Sequence, residues 1–143
     1  MRLHVAGHYW KYSEPRRVTW EGQPVEGLCI VEPRREIRVC RRLRGRRKAE
    51  TQLHELAHAA NFSSSELFVT NFASAGCALA YLAGAGLVKD GDRAAGAKII
   101  RQVLFHALQL SRSDLDDEQL LQDWADDLTR ALGRLGSAAF TNR

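Results

Sequence analysis

Residues 46–68 read RRKAETQLHELAHAANFSSSELF, and the five residues HELAH at 54–58 decide how the rest is read. Within Lys48–Ala60, the apolar residues Ala49, Leu53, Leu56, Ala57 and Ala60 recur at i, i+4, i+7 and i+8, the spacing of one helix face. His54 and His58 then lie one turn apart on a common face, where their imidazoles can converge on one tetrahedral metal ion. Zinc is the metal this donor set leads one to expect. Glu55 leans over the same site and can take a proton from water, so the HExxH spacing implies metal-assisted hydrolysis. The plain alternative is a pair of ordinary helix histidines, one of them matched by a nearby carboxylate.

A catalytic zinc site needs a third protein ligand and one open position. Asn61 tolerates the left-handed conformation that often ends helices, and Ser63, Ser64 and Ser65 make a short connection into a second helix. Glu66 stands in its first turn, and a tight helix–turn–helix returns that turn to the metal held by His54 and His58. Ser63 and Glu66 also have capping-box spacing, so Glu66 has a purely structural reading as well. A metzincin would continue HExxHxxGxxH, but Asn61 and Ser64 occupy the last two positions. His106, inside the helical pattern Ile99–Ile100–Val103–Leu104–Ala107–Leu108, reads as a partly buried helix histidine. His4 and His8 flank a short strand and are open between surface and active-site roles.

HELAH, the preceding strand pattern EIRVC and the acidic residue after the second histidine resemble the small HExxH metallopeptidase-like proteins of phages and prophages. The layout is similar to that of the ImmA/IrrE and SprT-type minimal zinc peptidases. The resemblance covers residues 1–88. It implies a minimal zincin fold: a small antiparallel sheet, an active-site helix with His54, Glu55 and His58, and a following helix offering Glu66. It also implies that the Glu36–Cys40 strand offers an edge on which an extended substrate pairs. One departure is that such second helices tend to begin with more than one acid, whereas this one carries Glu66 alone.

Charge is divided unevenly. Residues 1–48 hold 13 Lys or Arg against 5 acids, and residues 49–143 hold 8 against 12. The basic half ends in Arg34, Arg35, Arg38, Arg41, Arg42, Arg44, Arg46, Arg47 and Lys48. Such a cluster binds nucleic-acid phosphates, meets an acidic protein, or simply keeps an edge strand soluble. No zinc-finger spacing or aromatic interleaving supports base-specific reading.

Short β-rich runs at Leu3–Val5, Val18–Trp20, Leu28–Val31 and Glu36–Cys40 are separated by turn signals at Pro15, Gly22 and Pro33. In the last run Ile37 and Val39 face one side. With 143 residues the chain reads as one domain, with 89–143 as a helical extension beyond the 1–88 core. Cys29, Cys40 and Cys77 lack CxxC spacing, are odd in number and sit among apolar residues, as expected of reduced, buried thiols in the cytoplasm. The first residues lack the long apolar stretch of a signal peptide.

Leu67–Val88 carries no charge over 22 residues, long enough to span a membrane. Thr70, Asn71 and Ser74 interrupt it, and Gly76, Ala80 and Gly84 make a small-residue stripe, so a central buried helix ended by Gly84 and Gly86 is expected. Asp90–Gly91–Asp92 then makes a turn and Ala94–Leu110 a helix. Ser113 caps a last helix with Asp114, Asp116, Asp117 and Glu118 in its first turn, running through Leu120, Leu121, Trp124, Leu128 and Leu132. Asp123, Asp126 and Asp127 read as its solvated face.

The expectation is therefore an α+β zinc metallopeptidase in which His54, His58 and Glu66 hold Zn2+, Glu55 is the catalytic base, and the substrate is a protein or peptide. Tyr9, Tyr12, Tyr81 and His106 stand as unranked oxyanion stabilisers. A non-catalytic zinc-stabilised interaction protein and a nucleic-acid-associated protein using the arginine cluster are the alternatives.

Overall fold

Period-two alternation near the N-terminus writes strands: Leu3, Val5, Trp10, Tyr12, Ile37 and Val39 are buried while most of their neighbours face outward. The computed structural model describes residues 1–60, 65–67, 69–74, 76, 93–111 and 116–135. Six strands come first: β1 (Arg2–Val5), β2 (His8–Ser13), β3 (Val18–Trp20), β4 (Gln23–Val25), β5 (Gly27–Ile30) and β6 (Glu36–Val39). Helix α1 (Gly45–Ala60) follows, then helical residues at 66–67, 69–74 and 76, then α2 (Arg93–Ser111) and α3 (Glu118–Arg134). The class is α+β.

The main sheet is mixed rather than antiparallel throughout. Its order is β1-β2-β6-β5, with β2 and β6 parallel, whereas β3 and β4 form a separate two-stranded sheet. Detachment of the β3–β4 hairpin explains the difference. The β5–β6 hairpin then docks as a unit, and β6 arrives beside β2 pointing the same way. Consequently β6 is an interior strand, and the edge expected of Glu36–Cys40 belongs to β5 instead.

Ile37 and Val39 point at α1, which buries Ala49, Leu53, Leu56, Ala57 and Ala60 in the same core cluster. The helix begins at Gly45, earlier than the apolar pattern alone indicated. Past the turn, Val69, Phe72, Ala73 and Gly76 face inward at i, i+3, i+4 and i+7, while Thr70, Asn71 and Ser74 are exposed. This stretch is amphipathic, not apolar all round. Gly76 permits the close fit, since a β-carbon there would stand 3.1 Å from Leu53 Cδ2 and 3.3 Å from Leu104 Cδ2. The rest of the expected buried helix, with Cys77, Ala80, Tyr81, Gly84 and Gly86, lies outside the described residues, as does the turn at Asp90–Asp92. No helix among the described residues is long and apolar enough to cross a membrane.

Ile100, Leu104 and Leu108 of α2 and Leu121, Ala125, Leu128 and Leu132 of α3 join the same core cluster as the sheet and α1. Asp117 caps α3, its side chain accepting from Leu120 N at 3.0 Å, in place of Ser113, which lies outside the described residues. The carboxylate nearest the first apolar turn takes the orphan N–H. The acidic face of α3 does more than solvate. Asp127 Oδ2 accepts from Ala6 N at 3.2 Å in the β1–β2 turn, and Asp126 pairs with Arg101 of α2 at 3.3 Å.

Candidate metal centre

One helical turn separates His54 from His58, and the structure turns both rings so that their Nε2 atoms stand 3.1 Å apart. Glu66, at the start of the next helical segment, closes the triangle: Oε1 lies 2.8 Å from His54 Nε2 and Oε2 lies 2.9 Å from His58 Nε2. These are the three ligand-type side chains that come within 4.8 Å of one another among the described residues. Ligand atoms around tetrahedral zinc stand about 3.3 Å apart, given Zn–N distances near 2.0–2.1 Å. The donor chemistry fits such an ion; the separations of 2.8–3.1 Å are shorter than that and are also those of direct hydrogen bonds. Burial holds His54 below its ordinary pKa, opposed by the Glu66 carboxylate, with His58 pushing the same way as burial. That favours the neutral imidazole, the form that ligates. Glu66 is 71 % exposed, so the triangle opens to solvent on its side.

The chain matches no protein-family model, no curated protein and no solved structure.

Glu55 points from the same turn of α1 and is only 6 % exposed. Burial raises its carboxyl to about 8, with the Glu66 charge adding to the rise. It opens onto two adjoining cavities. One, of about 470 Å3, is lined by Trp20, Val25, Leu28 and Val31 beside His54, His58 and Glu66. The other, of about 450 Å3, is lined by Glu26, Glu50, Thr51, Thr70 and Ser74 beside His54 and Glu66. The edge strand β5 runs past both and contributes Gly27 to each.

The oxyanion candidates read from sequence do not meet here. Tyr9 is exposed and carries the Arg2 guanidinium 4.4 Å from its ring centre. Tyr12 is buried elsewhere, donating to Glu14 at 2.9 Å and accepting from Gln52 at 3.1 Å. His106 is exposed rather than partly buried, and lines a separate cavity with Arg101, Gln102, Phe105 and Gln122. His4 and His8 are surface residues of β1 and β2. Cys29 and Cys40 are free but half-buried rather than fully enclosed.

The site residues missed in the sequence are Trp20, Gly27 and Val31. Trp20 and Val31 are large apolar side chains left 55 % and 53 % exposed, both on the wall of the cavity beside the histidines. Their signal was absent locally, because β3–β4 and β5 are brought to α1 only by the tertiary fold.

The basic cluster is sorted by the structure. Arg38 pairs with Glu36, Arg46 with Glu50, Arg47 with Glu26 and Lys48 with Glu14. Arg44 donates to the carbonyls of Arg41 and Leu43. Arg34 and Arg35 precede β6 whereas Arg41 and Arg42 follow it, so the run divides between the two ends of an extended strand.

Proposed function

We propose that the chain is a zinc-dependent peptidase with a minimal zincin fold, and the observation that carries this reading is the convergence of His54, His58 and Glu66 at a cleft that also contains Glu55. His54, His58 and Glu66 would hold the ion. Bound there, zinc supplies a Lewis acid that polarises a carbonyl and makes water acidic near neutral pH. Glu55 lines the same cleft as the two histidines, where its carboxylate would take a proton from water and return it to a leaving amine. The edge position of β5 supports an extended peptide as substrate, since its outer N–H and C=O groups can pair with a further strand. Trp20, Val25, Leu28 and Val31 offer that peptide an apolar wall. The free thiols of Cys29 and Cys40 support a reducing, cytoplasmic setting.

The test is hydrolysis of an unstructured protein by zinc-loaded wild type beside Glu55→Gln. Turnover in the wild type alone, with zinc retained in both, is expected. Equal turnover in Glu55→Gln removes Glu55 from its role. Zinc-dependent folding with no turnover in either protein would point to a metal-stabilised interaction protein instead.

A further inference from the structure

Once the paired basic side chains are set aside, four arginines are left together at one end of β6. The connection after β2 is held against the connection after β6 by one backbone and one side-chain hydrogen bond: Arg41 N donates to Pro15 O at 2.9 Å, and the Cys40 thiol donates to Arg16 O at 3.3 Å. The second connection is itself fixed, with Leu43 N donating to Cys40 O at 3.2 Å and Arg44 clamped on the carbonyls of Arg41 and Leu43. Arg16, Arg17, Arg41 and Arg42 therefore project from one rigid platform, all exposed. Among the described residues none of the four has an ion-pair partner, and the neighbouring acids are committed: Glu14 to Lys48 and Tyr12, Glu26 to Arg47. α1 starts beside them without an acid in its first turn.

We propose that Arg16, Arg17, Arg41 and Arg42 form a binding surface for the phosphate backbone of a nucleic acid. Guanidinium forks match phosphate oxygens bidentately, and all four cations are arginine. A protein partner would call for an apolar centre within the surface. The exposed large apolar side chains among the described residues, Met1, Tyr9, Trp20, Val31 and Leu67, lie outside both connections. A surface of pure positive charge suits a ligand whose affinity is electrostatic and independent of sequence. None of the four arginines lines either cavity beside the histidines, and the proposal does not rest on the zinc reading.

The experiment is a salt titration of binding to labelled single-stranded and duplex oligonucleotides of mixed sequence, using the full chain. The wild type is compared with the fourfold Arg→Gln variant, with Arg16→Gln/Arg17→Gln and Arg41→Gln/Arg42→Gln should the fourfold variant not fold, and with Arg34→Gln/Arg35→Gln at the other end of β6. Each lost phosphate contact removes about 0.7–0.9 from the slope of log affinity against log salt, so the fourfold variant should lose about 3 and each paired variant about half of that. The Arg34/Arg35 variant should bind within about twofold of wild type at low salt. No binding by the wild type at low salt, or an equal loss in the Arg34/Arg35 variant, overturns the proposal. So does displacement of the oligonucleotide by polyglutamate as effectively as by unlabelled oligonucleotide, which would assign the surface to an acidic protein.

Discussion

Gly27 of β5 lies so close to Glu55 of α1 that a β-carbon at residue 27 would stand 2.8 Å from Glu55 Oε1 and 2.9 Å from its Cγ. The same β-carbon would meet Thr51 Cγ2 at 2.8 Å, so Glu55 has no simple retreat along its own helix. Gly27→Ala is thus expected to displace the Glu55 carboxylate while leaving the His54–His58–Glu66 triangle intact. Overpacking of this kind costs about 1–3 kcal/mol. Thermal denaturation should show that loss, zinc content should stay at the wild-type level, and hydrolysis should fall towards the Glu55→Gln level. Undiminished hydrolysis would show that the contact does not position Glu55.

Cys29 is held as a thiol: burial, with the Glu55 charge adding, raises it from 9.0 to about 12. A raised acid pKa means that the fold prefers the protonated form. Its contribution to stability is complete below pH 9 and is lost as pH rises towards 12. Urea denaturation at pH 8 and at pH 10.5 should therefore show a smaller decline for Cys29→Ala than for the wild type. Parallel declines would remove Cys29 from this account.

Phe72, almost fully buried, anchors the helical segment that carries Glu66. Phe72→Ala should cost about 3–5 kcal/mol of stability. Loosening that segment should also weaken zinc binding, since Glu66 reaches the histidines from it. Competition with a chelator would reveal this. Unchanged zinc affinity in a destabilised variant would mean that Glu66 is held by other contacts.

Asp117 accepts from Leu120 N at 3.0 Å and leaves that N–H unpaired when removed. Asp117→Ala should lower stability by about 1 kcal/mol, whereas Asp117→Asn should retain most of it. Equal losses for both, read by chemical denaturation, would indicate that the negative charge rather than the cap matters.

How much could be read beforehand depended on whether the signal was local. The α1 periodicity and the Ile37/Val39 alternation are properties of single elements, and both faces turn inward as the pattern requires. The placement of Glu66 was ambiguous because capping-box spacing and ligand spacing coincide; the structure brings its carboxylate to both imidazoles. The edge strand was misassigned because pairing order is not local: a detached β3–β4 hairpin places β6 inside the sheet and β5 at the rim. Trp20 and Gly27 were silent for the same reason. The nine-residue basic run looked like one surface, yet an extended strand divides it and carboxylates both near and distant in sequence pair with four of its cations.

The most direct measurement is the metal content of the purified protein, for the wild type beside His58→Ala and Glu66→Ala. About one zinc per chain in the wild type, lost in both variants, is expected of an open site with three protein ligands. A metal-free wild type prepared without chelators would contradict the zinc reading, and the contact of Glu66 with the two histidines would then be hydrogen bonding alone.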